Sequence, residues 1–119
     1  MIEKVNLKDK FDQIREYWSP RIAGELNGDY LKLVKVKGEF LWHQHEKEDE
    51  LFLVVEGDLT ILLRDGEIHL KAGEFAIIPK GVEHKPVAEE EAQVILLEPK
   101  STLNTGEVQN ERTRQAEWV

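Results

Sequence analysis

A chain of 119 residues is the common size for one compact domain, and 40% hydrophobic residues with 8 glycines lie in the ordinary globular range, which excludes intrinsic disorder for most of the length. The balance of 16 basic against 24 acidic side chains gives a formal charge of -8, a field that repels phosphate backbones and anionic headgroups, so neither nucleic acid nor a membrane surface is an expected partner. With no Cys, disulfides, thiolate metal sites and cysteine nucleophiles are excluded, and any metal must take His, Asp or Glu.

The first element expected is an amphipathic helix over about residues 6–18. Leu7, Phe11, Ile14 and Trp18 recur at helical spacing, Asn6 is the N-cap, and Ser19-Pro20 ends it. No secretory core follows Met1, and the longest apolar run, Leu51 to Val55, is far short of the roughly 20 residues of a spanning helix. The expected location is therefore the cytoplasm. From Arg21 to Pro99, Gly and Pro punctuate apolar runs of about 4 to 8 residues, the rhythm of short antiparallel strands. Asp65-Gly66, between Leu59–Leu63 and Ile68–Leu70, predicts a tight hairpin, because both residues tolerate positive φ.

Leu51 to Val55 and Val94 to Leu97 are apolar at both parities, so both faces of these strands must be covered. A barrel or two-sheet sandwich covers one face, and a second copy of the chain is the simplest cover for the other, which predicts a homodimer. Residues 100–119 turn polar and read as a C-terminal arm. The whole, residues 1–119, reads as one domain.

Two segments carry chemistry. In Gly38–Glu50, His43 and His45 stand two apart on an extended stretch, so both point to one face. Beyond a charged turn, Glu50 opens the next apolar strand, and an antiparallel return brings its carboxylate opposite the pair. In Gly73–His84, a Pro79-Lys80-Gly81 turn delivers a third imidazole, His84. Three imidazoles and one carboxylate suit a borderline divalent ion, Mn, Fe, Co, Ni, Cu or Zn, and not Ca or Mg, which take oxygen shells.

These segments resemble the two signature motifs of the cupin superfamily. Gly38, His43, His45, Glu50 and Gly57 match the first, and Gly73, Pro79, Gly81 and His84 match the second. The spacer from Gly38 to His43 is one residue shorter than usual, and Ala88 stands where the family has Asn. The whole chain is similar to the small single-domain cupins often labelled mannose-6-phosphate isomerase-like, whose C-terminal stretch resembles Asn104-Thr105-Gly106 and Arg112-Thr113. The resemblance implies an all-β fold, a double-stranded β-helix or jelly-roll barrel with one short N-terminal helix. It also implies one transition metal on His43, His45, Glu50 and His84, and a homodimer.

Four protein ligands leave an octahedral ion two adjacent open positions. This permits a metal-dependent enzyme of the dioxygenase or isomerase type acting on a small organic molecule. It equally permits a non-catalytic small-ligand binder whose metal is structural or sensing. Parity with His43 points Leu41, Phe52, Val54, Phe75, Ile77 and Pro86 inward. Such an apolar lining fits a small hydrophobic or aromatic molecule better than a sugar phosphate. His69 alternates with Ile68 and Leu70 and reads as an exposed bystander, while Trp18, Trp42 and Trp118 read as packing residues. No general acid or base is assigned, since Tyr17, Tyr30, Glu83 and Glu98 have no placement from the residues alone.

Overall fold

The structure, a computed structural model, describes residues 2–108 and 110–119. One helix, α1 (Leu7–Asp12), precedes eight strands: β1 (Arg21–Leu26), β2 (Asp29–Glu39), β3 (Glu50–Glu56), β4 (Asp58–Leu63), β5 (Gly66–Lys71), β6 (Phe75–Ile78), β7 (His84–Pro99) and β8 (Glu117–Trp118). The sheet runs β5-β4-β7-β2-β1-β8, with β3 joining β7 to β6. All pairings are antiparallel except β1 with β8. This is the expected all-β jelly-roll with one short helix, although hydrogen bonding does not close it into a barrel. No helix among the described residues is long and apolar enough to cross a membrane.

The long strand β7 organises the fold. Its first part, from His84 to Val87, pairs with β4, its last part with β3, and β2 runs along its other side. Irregularities at Val36/Gly38 and Val54/Glu56 bend these pairings, so the sheet curls around an apolar interior. Even-numbered Val34, Val36, Phe52, Val54, Val94 and Leu96 point inward, as period-2 geometry requires.

Part of the outer parity is covered by the chain itself. Leu33 and Ile95 pack beneath Phe11 and Ile14, with Leu53 and Val55 alongside. Strands apolar on both faces are thus partly covered within the chain, by the N-terminal segment. The helix is also shorter than residues 6–18. Asn6 caps it as expected, accepting from the Asp9 amide, but Gln13 is the C-cap. Beyond it, the Trp18 amide donates to Lys35 O at 2.8 Å and its indole to Lys37 O at 2.9 Å. These bonds to β2 hold Trp18 at φ 60°, outside the helical region, so tertiary pairing overrides helical spacing.

The hairpin between β4 and β5 forms, but its register pairs Leu63 with Gly66, leaving Arg64-Asp65 as the turn. Neither of those residues has positive φ, whereas Asn27 at 51° and Gly28 at 83° do. The primed turn therefore lies between β1 and β2, where Leu26 pairs with Asp29. The C-terminal arm is docked. Thr105 is fully buried and its hydroxyl meets that of Thr113 at 2.6 Å, while Asn104 donates to Arg112 O and accepts from the Arg114 amide.

Candidate metal centre

His43 and His45 lie between β2 and β3, outside any strand, yet their backbone is extended and held against the segment leading into β7. The His43 and His84 amides exchange hydrogen bonds with each other's carbonyls at 3.0 and 2.9 Å, and the Gly81 amide donates to His45 O at 2.8 Å. That lattice of bonds turns the sequence spacing into a site. His43 and His45 point to one side, and the Pro79–Gly81 turn, with Gly81 at φ 84°, aims His84 at them. Glu50, first residue of β3, pairs with Ile78 and faces inward.

All four side chains are buried. One ligand atom from each lies within 4.8 Å of the other three. Glu50 Oε1 is 3.3 Å from His45 Nε2 and 3.5 Å from His84 Nε2, near the ~3 Å between adjacent ligand atoms each about 2.1 Å from one ion. His43 Nδ1 lies 2.9 Å from Leu41 O and His84 Nδ1 2.9 Å from Val82 O. A carbonyl only accepts, so Nδ1 carries the hydrogen in both rings and Nε2 is left as a bare lone pair turned inward. His84 Nε2, His45 Nε2 and Glu50 Oε1 have no hydrogen-bond partner despite burial, a costly arrangement unless a cation satisfies them. The residues fit a divalent transition metal.

Without an ion, the electrostatics differ between the His43 and His45 rings. Burial, reinforced by the neighbouring His84, pulls the His43 pKa down to about 4, which keeps the ring neutral. Burial opposes charge on His45 as well, but the adjacent Glu50 carboxylate outweighs it and raises the pKa of that ring. For Glu50, burial is overcome by the neighbouring Glu98, His45 and His84, which hold its carboxyl well below the usual range. Glu98 is pushed well above that range, by its own burial and then by Glu50.

A cavity of about 30 Å³ opens beside His43 and Glu50, room for about two waters. Val34, Phe52, Leu59 and Leu96 form walls, and Asn104 of the C-terminal arm reaches its lining. Trp18, stacked on Phe40 with centroids 5.1 Å apart, also lines it, and the Arg112 guanidinium lies 4.7 Å from the Phe40 ring centroid. Trp18 is therefore part of the site and not only a packing residue. Among the described residues, the lining holds no Lys or Arg.

The inward lining read from parity holds for Phe52 and Pro86, which line the cavity, and Val54, which is fully buried in the core. Leu41 is half-buried and off the lining. Phe75 and Ile77 point the other way, at 60% and 56% exposure. The register Glu50↔Ile78 gives the inner face of β6 to Ile78 and Ala76. His69 is exposed, 3.5 Å from Asp58, and outside the cluster.

The profile of the cupin domain matches residues 30–99, well over half of the chain. The chain belongs to the cupin family. This cupin is 36% identical over 86 residues to the uncharacterized protein YdbB of Bacillus subtilis, covering 71% of this chain and 76% of that one. It is 53% identical to a cupin-2 domain containing protein from Shewanella frigidimarina, whose crystal structure superposes with TM-score 0.79 over 80% of this chain and 93% of the other. Protein NMB1881 from Neisseria meningitidis, also solved, is 37% identical, with TM-score 0.75 over 82% and 99%.

Proposed function

We propose that this cupin binds one divalent transition metal through His43, His45, Glu50 and His84, and that it acts on a small organic molecule as a metal-dependent enzyme of the dioxygenase or isomerase type. The observation that carries the reading is the inward aim of unpaired imidazole Nε2 atoms beside an unpaired carboxylate oxygen, all next to an apolar cavity. When bound, the ion supplies Lewis acidity, with Mn, Fe, Co, Ni, Cu and Zn all compatible with this donor set. The chain's own residues do the rest. Leu41 and Val82 carbonyls fix the ring orientation of His43 and His84, and the apolar walls exclude bulk water. A phosphorylated sugar finds no cationic side chain on this lining, so a small hydrophobic or aromatic molecule fits better.

A second reading, a non-catalytic binder with a structural or sensing metal, is favoured by the small size of the cavity. At about 30 Å³ it admits an organic molecule only if lining side chains move. The two readings separate experimentally. Loaded with Fe(II) under anaerobic conditions, an open site binds nitric oxide and gives the high-spin ferrous nitrosyl signal, weakened in Glu50→Gln. Oxygen uptake with catechols, β-diketones and other enolisable compounds then marks an oxygenase. Mass-neutral conversion marks an isomerase, and binding without turnover marks the binder. Absence of the nitrosyl signal with Fe(II) bound shows a closed, structural site and overturns the enzymatic reading.

We also propose a homodimer. Phe75 and Ile77 stand exposed on β6, which among the described residues pairs only with β3, and a second copy is the simplest cover for an apolar edge strand.

A further inference from the structure

Asn104-Thr105-Gly106 and Arg112-Thr113 lie beyond the stretch that supplies the four candidate ligands, and the metal reading alone makes no use of Thr105, Gly106 or Thr113. In the fold they form one unit. Asn104 Nδ2 donates to Arg112 O at 2.8 Å, and Asn104 Oδ1 accepts from the Arg114 amide at 2.7 Å. The fully buried Thr105 hydroxyl meets Val108 O and Thr113 Oγ1, each at 2.6 Å. The Gly106 amide donates to Leu103 O and the Val108 amide to Thr105 O, both at 3.1 Å. These bonds close residues 103–108 into a tight turn pinned by residues 112–114, and Gly106 within it has φ 60°, an angle that suits glycine.

The turn presses on the loop that carries His45. The Glu107 amide donates to Gln44 O at 3.1 Å, and the Glu46 amide donates to Glu107 Oε1 at 3.4 Å. A Cβ on Gly106 would collide with Gln44 O and would stand 2.9 Å from Gln44 C and 3.3 Å from His45 Nδ1, so only the bare backbone of a glycine fits here. The next carbonyl along the loop, His45 O, accepts from the Gly81 amide at 2.8 Å, so two separate segments hold this stretch. The need for such a hold is particular to His45. Leu41 O and Val82 O fix the rings of His43 and His84 through Nδ1, whereas His45 Nδ1 has, among the described residues, no hydrogen-bond partner. An imidazole without that second bond takes its direction from packing and from its backbone.

We propose that the turn at residues 104–107 is a clamp on the metal centre, with Gly106 as the positioning residue for His45: its bare backbone lets the C-terminal arm close on Gln44 and on the His45 ring, which fixes the direction of that ligand. The Asn104 and Thr105 bonds to residues 112–114 hold the clamp in shape. Order in the arm and affinity for the ion are thereby coupled.

The inference rests on the metal reading above, and the test separates the two. Metal-free protein is titrated with Zn(II) by calorimetry, and the Co(II) form is read by its visible ligand-field bands. In Gly106→Ala the added methyl group forces the arm off the loop, and binding is expected to weaken about 10-fold or more with altered Co(II) bands. Gly28→Ala is the matched control. Gly28 has φ 83° and open space around it, so the substitution brings the same kind of backbone strain without touching the centre, and wild-type affinity and bands are expected. Circular dichroism establishes that both variants fold. Wild-type affinity and bands in folded Gly106→Ala overturn the clamp, and so does equal weakening in Gly28→Ala, which marks a general loss of stability. If Gly106→Ala does not fold, the isosteric Thr105→Val carries the test by removing the hydroxyl bonds that shape the turn: weakened binding supports the clamp and unchanged binding overturns it. A wild-type protein that binds neither ion overturns the metal reading, and this inference with it.

Discussion

Gly57 turns the chain from β3 into β4 at φ 89°, a conformation that costs a residue with a side chain about 1–3 kcal/mol. A Cβ there would also stand 3.0 Å from Ala92 Cα and Cβ and from Glu91 O, atoms of the packed strand β7 that have little room to yield. Gly57→Ala is therefore expected to lower the free energy of unfolding by at least about 1 kcal/mol, seen as a reduced midpoint in urea. An unchanged midpoint would show that the turn relaxes freely. This glycine and the four candidate ligands were legible in the sequence, because each belongs to a pattern with a local physical cause: a forced backbone angle, or imidazoles at fixed spacing. The burial of Lys32 and Glu98, which pair at 2.9 Å, was not. A single charge in an apolar strand reads as a solvent-facing residue, and its burial is decided by which strand lies opposite, a tertiary fact. In hindsight the parity of Glu98 with Val94 and Leu96, both inward, was the available signal. Trp18 escaped for a similar reason: helical spacing accounted for it, while its bonds to Lys35 and Lys37 carbonyls belong to the folded sheet.

Among the elements, α1 and β6 show how the outer face of the sheet is managed. The pattern of strands apolar at both parities reads as two faces that need cover, and the chain itself supplies part of that cover. Phe11 and Ile14 bury against Leu33 and Ile95, so the chain covers part of its own back. That leaves β6. Phe75 and Ile77 keep more than half of their surface exposed, and an edge strand with unpaired backbone and apolar side chains is a template for association. The wild-type protein is expected to scatter light as a dimer at micromolar concentration, twice the 13.8 kDa of the chain, and Ile77→Lys is expected to shift it to monomer with its secondary structure kept. A wild-type monomer would mean that the N-terminal segment is cover enough. Hairpins were legible as elements but less so in their turns: Arg64-Asp65 and not Asp65-Gly66 connects β4 and β5, because the ladder register, set by packing on both flanks, outranks local turn preference.

Across the whole molecule, the motif stretch from Gly38 to Ala88 supplies the candidate donor atoms, while part of the cavity beside them comes from elsewhere: Trp18 before β1 and Asn104 in the C-terminal arm, whose Arg112 lies over Phe40. The donor set therefore states what kind of ion fits, and the rest of the chain determines what reaches it. A compact apolar cavity without cationic lining inside a protein of net charge -8 favours a small uncharged or aromatic molecule over a phosphorylated one. The central claim, that His43, His45, Glu50 and His84 hold one transition metal, is tested most directly by elemental analysis of untagged wild-type protein beside His43→Ala and His84→Ala. The account predicts about one first-row ion per chain in the wild type, strongly reduced in both variants with their circular dichroism retained. Full occupancy in both variants, or a metal-free wild type that takes up none when offered, would contradict it.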